Sequence, residues 1–211
     1  RAINGSISGE PVNDDLKREI INRKKNADVL LYLGDSAKTG GSASALALIS
    51  ILKKANVNFT ILEDEPDSGA HLFDLMGYTA DVQNTAKECI NKIRETGAKS
   101  IVSIDPTYAR FFKHQCNEWG LMNDLNAVTA TMFVSDLVKD GKLEIEKLNI
   151  TATFHDPCRL SRDLEETQPV RDIMEAMGVT IKEMLLNRGL TKCCGGAILR
   201  ESYPNLAGNM V

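Results

Sequence analysis

The run Val29-Leu30-Leu31-Tyr32-Leu33 is apolar at every position and only five residues long. A half-buried strand would alternate apolar and polar residues, and a helix would need a longer periodic stretch, so the run reads as a strand covered on both faces. That requirement commits the chain to a parallel sheet with helices packed against it. Gly34-Asp35-Ser36 ends the run, Ala43 to Ala55 carries helical spacing through Leu46, Ile49 and Leu52, and Val57 to Leu62 is a second strand. Leu72 to Met76 reads as a short helix and Asp81 to Thr96 as a longer one closed by Gly97. Ser100 to Ile104 is a third strand, followed by a helix from Pro106 through Asn117. Ahead of these, residues 1–12 are polar and turn-rich, and Asn13 is placed to cap a helix from Asp14 to about Lys25. Strands and helices alternating at this spacing give right-handed βαβ units.

The pattern then starts again. Val128 to Lys139 passes from strand to helix, and Gly141 opens a connection through Leu148. Ile150 to Phe154 is a strand, Pro169 to Met177 a helix capped by Gly178, Val179 to Leu185 a strand, and a further helix runs from about Ala197. This restart reads as an internal repeat. Gly34-Asp35 stands where Pro157-Cys158 stands, and Asp67-Ser68-Gly69 where Cys193-Cys194-Gly195 stands. The intervals 35 to 67 and 158 to 193 differ by three residues. The expected fold is therefore α/β: two Rossmann-like lobes with mostly parallel sheets, related by an internal repeat and joined near residues 140–149.

Charge excludes some functions. With 25 Lys and Arg against 29 Asp and Glu, the net charge is −4, which argues against a nucleic-acid or anionic-membrane surface. The low aromatic content and single Trp119 disfavour a base-stacking platform. No apolar run approaches the ~20 residues of a membrane span, and no signal-peptide pattern follows Arg1, so a cytoplasmic location is expected. A start at Arg1 and an end at Met210-Val211, within a helix-like stretch, read as a chain that continues in both directions.

Three of the five cysteines fall in two short motifs. Cys158 lies in Phe154-His155-Asp156-Pro157-Cys158-Arg159-Leu160, just after a strand, and Cys193-Cys194 precede Gly195-Gly196. Two glycines allow a tight turn and close approach to a bulky inorganic group. Gathered thiolates select a soft metal centre, an iron–sulfur cluster or zinc, over hard cations. Packing is the competing explanation, since free cysteine behaves as a small buried hydrophobe. A disulfide framework fits poorly with five cysteines in a chain of this length without a secretory signal. Cys158, at a strand-to-helix turn, is expected to have its thiolate favoured by the helix N-terminus.

These residues resemble the cysteine-rich CCG domain family. It includes heterodisulfide reductase B and D subunits, glycolate and lactate oxidase iron–sulfur subunits, and the C subunit of anaerobic glycerol-3-phosphate dehydrogenase. The family repeats one Cys, a Cys-Cys-Gly and a Cys-x-x-Cys, each copy able to hold a non-cubane 4Fe–4S cluster. The resemblance runs from about Ala27 almost to the end. It implies cluster ligation by Cys158, Cys193 and Cys194, with His155 and Asp156 shaping the cluster's surroundings. A hydrogen-bonded strand-end role competes for His155. Arg159 and Arg162 would set positive charge beside the cluster or be ordinary solvated helix residues. In the first lobe the ligand positions read Asp35, Asp67-Ser68 and Asp105-Pro106-Thr107-Tyr108, so that lobe is expected to bind no cluster.

The resulting division is a linker and helix over 1–27, a degenerate CCG lobe without cluster ligands over 28–140, and a second CCG lobe over 149–211. The second lobe's Cys-x-x-Cys would fall beyond Val211, leaving the cluster incomplete or absent in a chain ending there. The implied function is an iron–sulfur electron-transfer subunit of heterodisulfide reductase type, peripheral to a membrane complex. It would pass electrons between ferredoxin-like, flavin or quinone-linked partner subunits and a thiol, disulfide or quinone acceptor. A structural zinc site on the same thiolates plus His155 or a downstream Cys, and a cluster-free scaffold, are the alternatives. Gly34 to Ser42 suggests a phosphate loop but lacks the Gly-Lys-Ser/Thr order. Asp35, Asp67 and Asp105 would meet at one sheet edge, either around a hard cation or as solvated turn residues. Cys89 and Cys116 read as helix-face core residues, as does the stripe Leu46, Leu48, Ile49 and Leu52.

Overall fold

The computed structural model describes residues 12–24, 26–38, 40–196 and 203–210. The chain divides into two compact units, Arg1–Leu143 and Glu144–Val211. Both are α/β with parallel strands.

The first unit is built on the all-apolar run. β1 (Val29–Tyr32) is buried at every position and lies inside a four-stranded sheet, between β2 (Phe59–Thr60) and β3 (Ser100–Ser103). β4 (Asn126–Thr129) pairs with the far side of β3. The order β2-β1-β3-β4 reverses direction at β1, so the crevice at the carboxyl ends of β1 and β3 is where such sheets take ligands. The helices are α1 (Asp14–Ile21), α2 (Gly34–Lys38), α3 (Ser42–Lys54), α4 (Ala70–Met76), α5 (Ala80–Arg94), α6 (Pro106–Phe111) and α7 (Ala130–Lys139). Asn13 caps α1 through its side chain, which accepts from the amides of Asp15 and Leu16. That helix stops at Ile21, four residues short of the expected Lys25, which lies outside the described residues. The core joins Leu30, Tyr32, Ile90, Ile93, Ile101, Phe111 and Phe112, with Cys89 and Cys116 among them. Leu48, Ile49 and Leu52 of the α3 stripe are buried as expected.

Two expectations needed correction. Gly34 to Lys38 is a helical turn, not a loop, because Gly34 at φ +71° swings the chain directly out of β1. The outer strand expected over Val57 to Leu62 pairs with β1 at Phe59 and Thr60 and so is shorter than the sequence suggested.

The second unit holds β5 (Thr151–Ala152) and β6 (Thr180–Ile181), paired in parallel, with α8 (Pro169–Ala176) between them. A π-helical turn spans Arg159–Asp163, a 3₁₀ turn Arg188–Leu190, and a short helix Pro204–Gly208. Both strands are shorter than the ones expected over 150–154 and 179–185, and among the described residues this sheet has two members. The helix expected from Ala197 begins on residues outside the described set.

Cys89 and Cys116 are fully buried. Burial alone pushes the Cys116 thiol up to about 12, and burial together with the nearby Glu65 carboxylate raises Cys89 well above the usual range. Maleimide should therefore label Cys158, Cys193 and Cys194 in the metal-free native chain and reach Cys89 and Cys116 only after denaturation, as counted by mass spectrometry. In the unfolded chain a thiol ionises near ~8.5, so the folded form binds more protons above that pH. Stability should be at its full value below it and fall as pH rises toward about 12, in denaturant titrations.

Candidate metal centre

Cys158 follows the extended residues after β5 and opens the π-helical turn Arg159–Asp163. Cys193 and Cys194 follow the 3₁₀ turn Arg188–Leu190. Thirty-five residues separate Cys158 from Cys193, yet their sulfurs lie 4.0 Å apart. With metal–sulfur bonds of about 2.3 Å at a tetrahedral centre, two ligand sulfurs stand about 3.8 Å apart. The pair has the spacing of one edge of a thiolate site.

What holds these sulfurs together is a polar network behind them. Asp156 is 2 % exposed and Arg171, from α8, is 4 % exposed. The guanidinium grips the Asp156 carboxylate through two bonds of 2.7 and 2.9 Å and reaches Glu183 on its other side at 2.6 and 2.8 Å. It also lies 5.8 Å from the Phe154 ring centroid, in cation–π range. The amide of Arg188 donates to Asp156 Oδ2 at 2.7 Å. Arg188 has φ +52°, a left-handed conformation that costs a residue with a Cβ about 1–2 kcal/mol and that this amide bond holds in place. The Thr191 hydroxyl donates to the Asp156 carbonyl at 2.8 Å, and His155 Nε2 bonds the Lys192 carbonyl at 3.0 Å. These contacts tie residues 155–156 to residues 183–192, directly or through Arg171, so the two cysteine-bearing segments are fixed to each other. The Arg171 guanidinium keeps Asp156 below the usual carboxylate range.

Gly195 completes the turn. Its φ is +71°, and an added Cβ would lie 2.9 Å from the Ala207 backbone, so glycine is required for both conformation and space. Its amide donates to Cys193 Sγ at 3.4 Å. This amide, rather than a long helix dipole, is the polar group beside the sulfurs, because the turn after Cys158 is only five residues long. Gly196 meets no such constraint, since a Cβ there would be at ordinary contact distance from Cys194 Sγ.

The structure thus brings together Cys158 and Cys193, both half-buried, while Cys194 is exposed. Among the described residues no three His, Cys, Asp or Glu side chains gather closely enough to hold a metal ion. The donors that do meet are soft sulfurs, which fit iron–sulfur or zinc chemistry. His155 is hydrogen-bonded at the strand end, and Arg159 pairs with Asp163 at 2.9 Å. Arg162 is exposed.

In the first unit, the sheet edge at the carboxyl ends of β1 and β3 is lined by Glu65, Lys38 and Tyr108. The Glu65 carboxylate, 1 % exposed, accepts from the amides of Leu33 and Gly34 at 2.7 and 2.8 Å and from Lys38 Nζ at 3.0 Å. Those are the donors a phosphate on the Gly34–Ser42 segment would need. Tyr108 packs so tightly on Gly34 that an added Cβ would sit 2.1 Å from its ring, and its hydroxyl accepts from the Asp35 amide. Asp67 and Asp105 accept from the amides of Gly69 and Thr107 and so serve local turns. Glu65 left no trace in the sequence, since a lone Glu at a turn has no spacing signature, whereas Tyr108 stands in the segment Asp105-Pro106-Thr107-Tyr108 that the resemblance had already marked.

Removing one partner of a buried ion pair strands the other, at about 3–5 kcal/mol. Arg171→Met and Asp156→Asn should each destabilise the second unit on that scale, read as lost amide-exchange protection over residues 150–193. Arg171→Lys should recover only part of it, because an ammonium cannot reproduce the two-sided fork.

The comparisons with known proteins fall on the same segment. The cysteine-rich domain model, CCG, matches residues 152–211. The chain is 29 % identical over 190 residues to a protein of Chromohalobacter salexigens described as a probable membrane-anchored ferredoxin, covering 86 % of this chain and 28 % of that protein. It is 29 % identical to the probable iron–sulfur-binding oxidoreductase FadF of Bacillus subtilis, covering 88 % of this chain and 26 % of the relative. It is 30 % identical to the D subunit of dihydromethanophenazine:CoB–CoM heterodisulfide reductase from Methanosarcina acetivorans, covering 86 % of this chain and 46 % of that protein. The chain spans less than half the length of each of these relatives. Among the described residues no helix is long and apolar enough to cross a membrane. With its paired sulfurs on the His-Asp-Pro-Cys and Cys-Cys-Gly-Gly segments, the second unit is a cysteine-rich domain of the CCG family.

Proposed function

We propose that the chain is an iron–sulfur electron-transfer subunit of heterodisulfide reductase type. It exchanges electrons between a partner redox subunit, ferredoxin-like, flavin or quinone-linked, and a disulfide, thiol or quinone acceptor. The observation that carries this reading is the 4.0 Å approach of Cys158 and Cys193 on two segments locked by the Asp156–Arg171 network. Cys158, Cys193 and Cys194 are the three protein ligands that residues 1–211 supply, and the cofactor is a non-cubane 4Fe–4S cluster, which supplies one-electron redox chemistry when bound. Cys194 needs only to turn inward from its exposed position on the glycine-bounded segment. In this reading the chain lies in the cytoplasm, peripheral to a membrane complex; one relative described as membrane-anchored and another named as a reductase subunit support the second half of that placement.

The first unit, in this reading, is a degenerate repeat of the second that binds no cluster. Support comes from the crevice at β1 and β3, where Glu65, Lys38 and Tyr108 occupy the space beside the positions that carry sulfur in the family. Carboxylate and hydroxyl groups are hard donors, and these are already satisfied internally.

Anaerobic purification followed by iron, acid-labile sulfide and zinc analysis tests the proposal. Equal iron and sulfide with visible absorbance are expected, lost in Cys158→Ser and Cys193→Ser and reduced in Cys194→Ser. Zinc without sulfide would replace this reading with a thiolate zinc site. A stable, colourless, metal-free protein would leave a scaffold.

A further inference from the structure

We propose that Cys158 and Cys193 form a reversible disulfide with each other when no metal holds them, and that this bond closes the site to cluster loading. The inference rests on the proposed function for its consequence, but the disulfide itself requires only the two thiols.

The geometry is unusual in what maintains it. The two sulfurs lie 4.0 Å apart on segments that the hydrogen bonds of Asp156, Arg171, Arg188, Thr191 and His155 fix to each other. A disulfide needs about 2 Å between sulfurs, so a closing movement of about 2 Å remains, within reach of side-chain rotation. Both thiols are half-exposed, open to a small oxidant yet protected from bulk chemistry. Cys89 and Cys116 are fully buried, and burial holds both as neutral thiols. Because the chain between residues 158 and 193 is already closed by the network, the bond adds little ordering cost.

The reaction balances with a small disulfide, such as glutathione disulfide, as the two-electron oxidant. The Cys193 thiolate, whose sulfur already accepts the Gly195 amide, attacks one sulfur of the small disulfide. The sulfur–sulfur bond breaks, a mixed disulfide forms on Cys193, and one thiolate leaves and takes up a proton. Cys158, having given up its proton, then attacks the Cys193 sulfur and expels the second small thiol. Two protein thiols and one small disulfide become one protein disulfide and two small thiols. An excess of small thiol runs the sequence backwards, which makes the pair a reporter of the thiol–disulfide balance. Once joined, the sulfurs can no longer act as thiolate ligands, and metal uptake stops.

The test uses the whole chain, stripped of metal with chelator, reduced, and then exposed anaerobically to glutathione disulfide. Peptide mass mapping after alkylation should show a Cys158–Cys193 cross-link with the loss of two hydrogens, and Cys89 and Cys116 alkylated only after denaturation. Cys158→Ser and Cys193→Ser should each abolish the cross-link and stop at a mixed disulfide, while Cys194→Ser should retain it. A cross-link between Cys193 and Cys194, or mixed disulfides alone in the unsubstituted chain, would overturn the pairing. For the gating, the oxidised chain should take up no iron and sulfide until a reductant such as dithiothreitol is added, whereas the reduced chain loads directly. Equal loading of oxidised and reduced chains would overturn the gating. A reduced chain that loads nothing overturns the cluster reading and the gating together, and the mapped cross-link still decides the disulfide.

Discussion

The buried guanidinium of Arg171 is the point on which the second unit turns. It is shared between Asp156 on one segment and Glu183 on the other, with both carboxylates met by two nitrogens each. A buried charge pair is weak evidence of net stability, because desolvation offsets most of the attraction. Its contribution here is positional. A unit with two short strands and few buried apolar side chains has little hydrophobic core with which to fix loop against loop. Directional bonds supply what packing cannot, and they set the residues flanking both cysteine segments in one register.

The same logic explains the left-handed Arg188 and the glycine at 195. Each is a backbone conformation that an ordinary residue would avoid, and each sits beside a bond that the site needs. The Arg188 amide completes the coordination of Asp156, and the Gly195 amide points at Cys193 Sγ. The strain falls on Arg188, while glycine at 195 adopts its left-handed conformation without steric cost.

How far the sequence disclosed this depends on whether a feature leaves a pattern. The β1 run was legible because burial on both faces forces every position apolar, and the structure buries each of its residues. Cys158 and Cys193 were legible because a strand-end Cys and a Cys-Cys-Gly-Gly turn each carry local signatures. The clamp was not. Arg171 is one arginine in an amphipathic helix, indistinguishable by spacing from a solvated neighbour, and only the fold reveals that it is 4 % exposed. Strand lengths were overread for a related reason: an apolar residue reports burial, whereas a strand is defined by backbone pairing, which β2, β5 and β6 each make over two residues.

The two units give different answers to one electrostatic problem. A turn leaving the carboxyl end of a parallel strand presents amides and a nearby cation, and something negative must meet them. In the first unit Glu65 meets them from within the chain, fixing the amides of Leu33 and Gly34 and the ammonium of Lys38 around a carboxylate. Tyr108 packs against Gly34 beside it. In the second unit the internal carboxylate, Asp156, is drawn back onto Arg171, and the turn offers sulfurs instead. Sulfur is a poor acceptor of hydrogen bonds, and two thiols in contact satisfy one another only weakly. In the proposed reading their demand is met by a metal or by a covalent bond between them, which leaves this site chemically open where the other edge is filled by its own side chains.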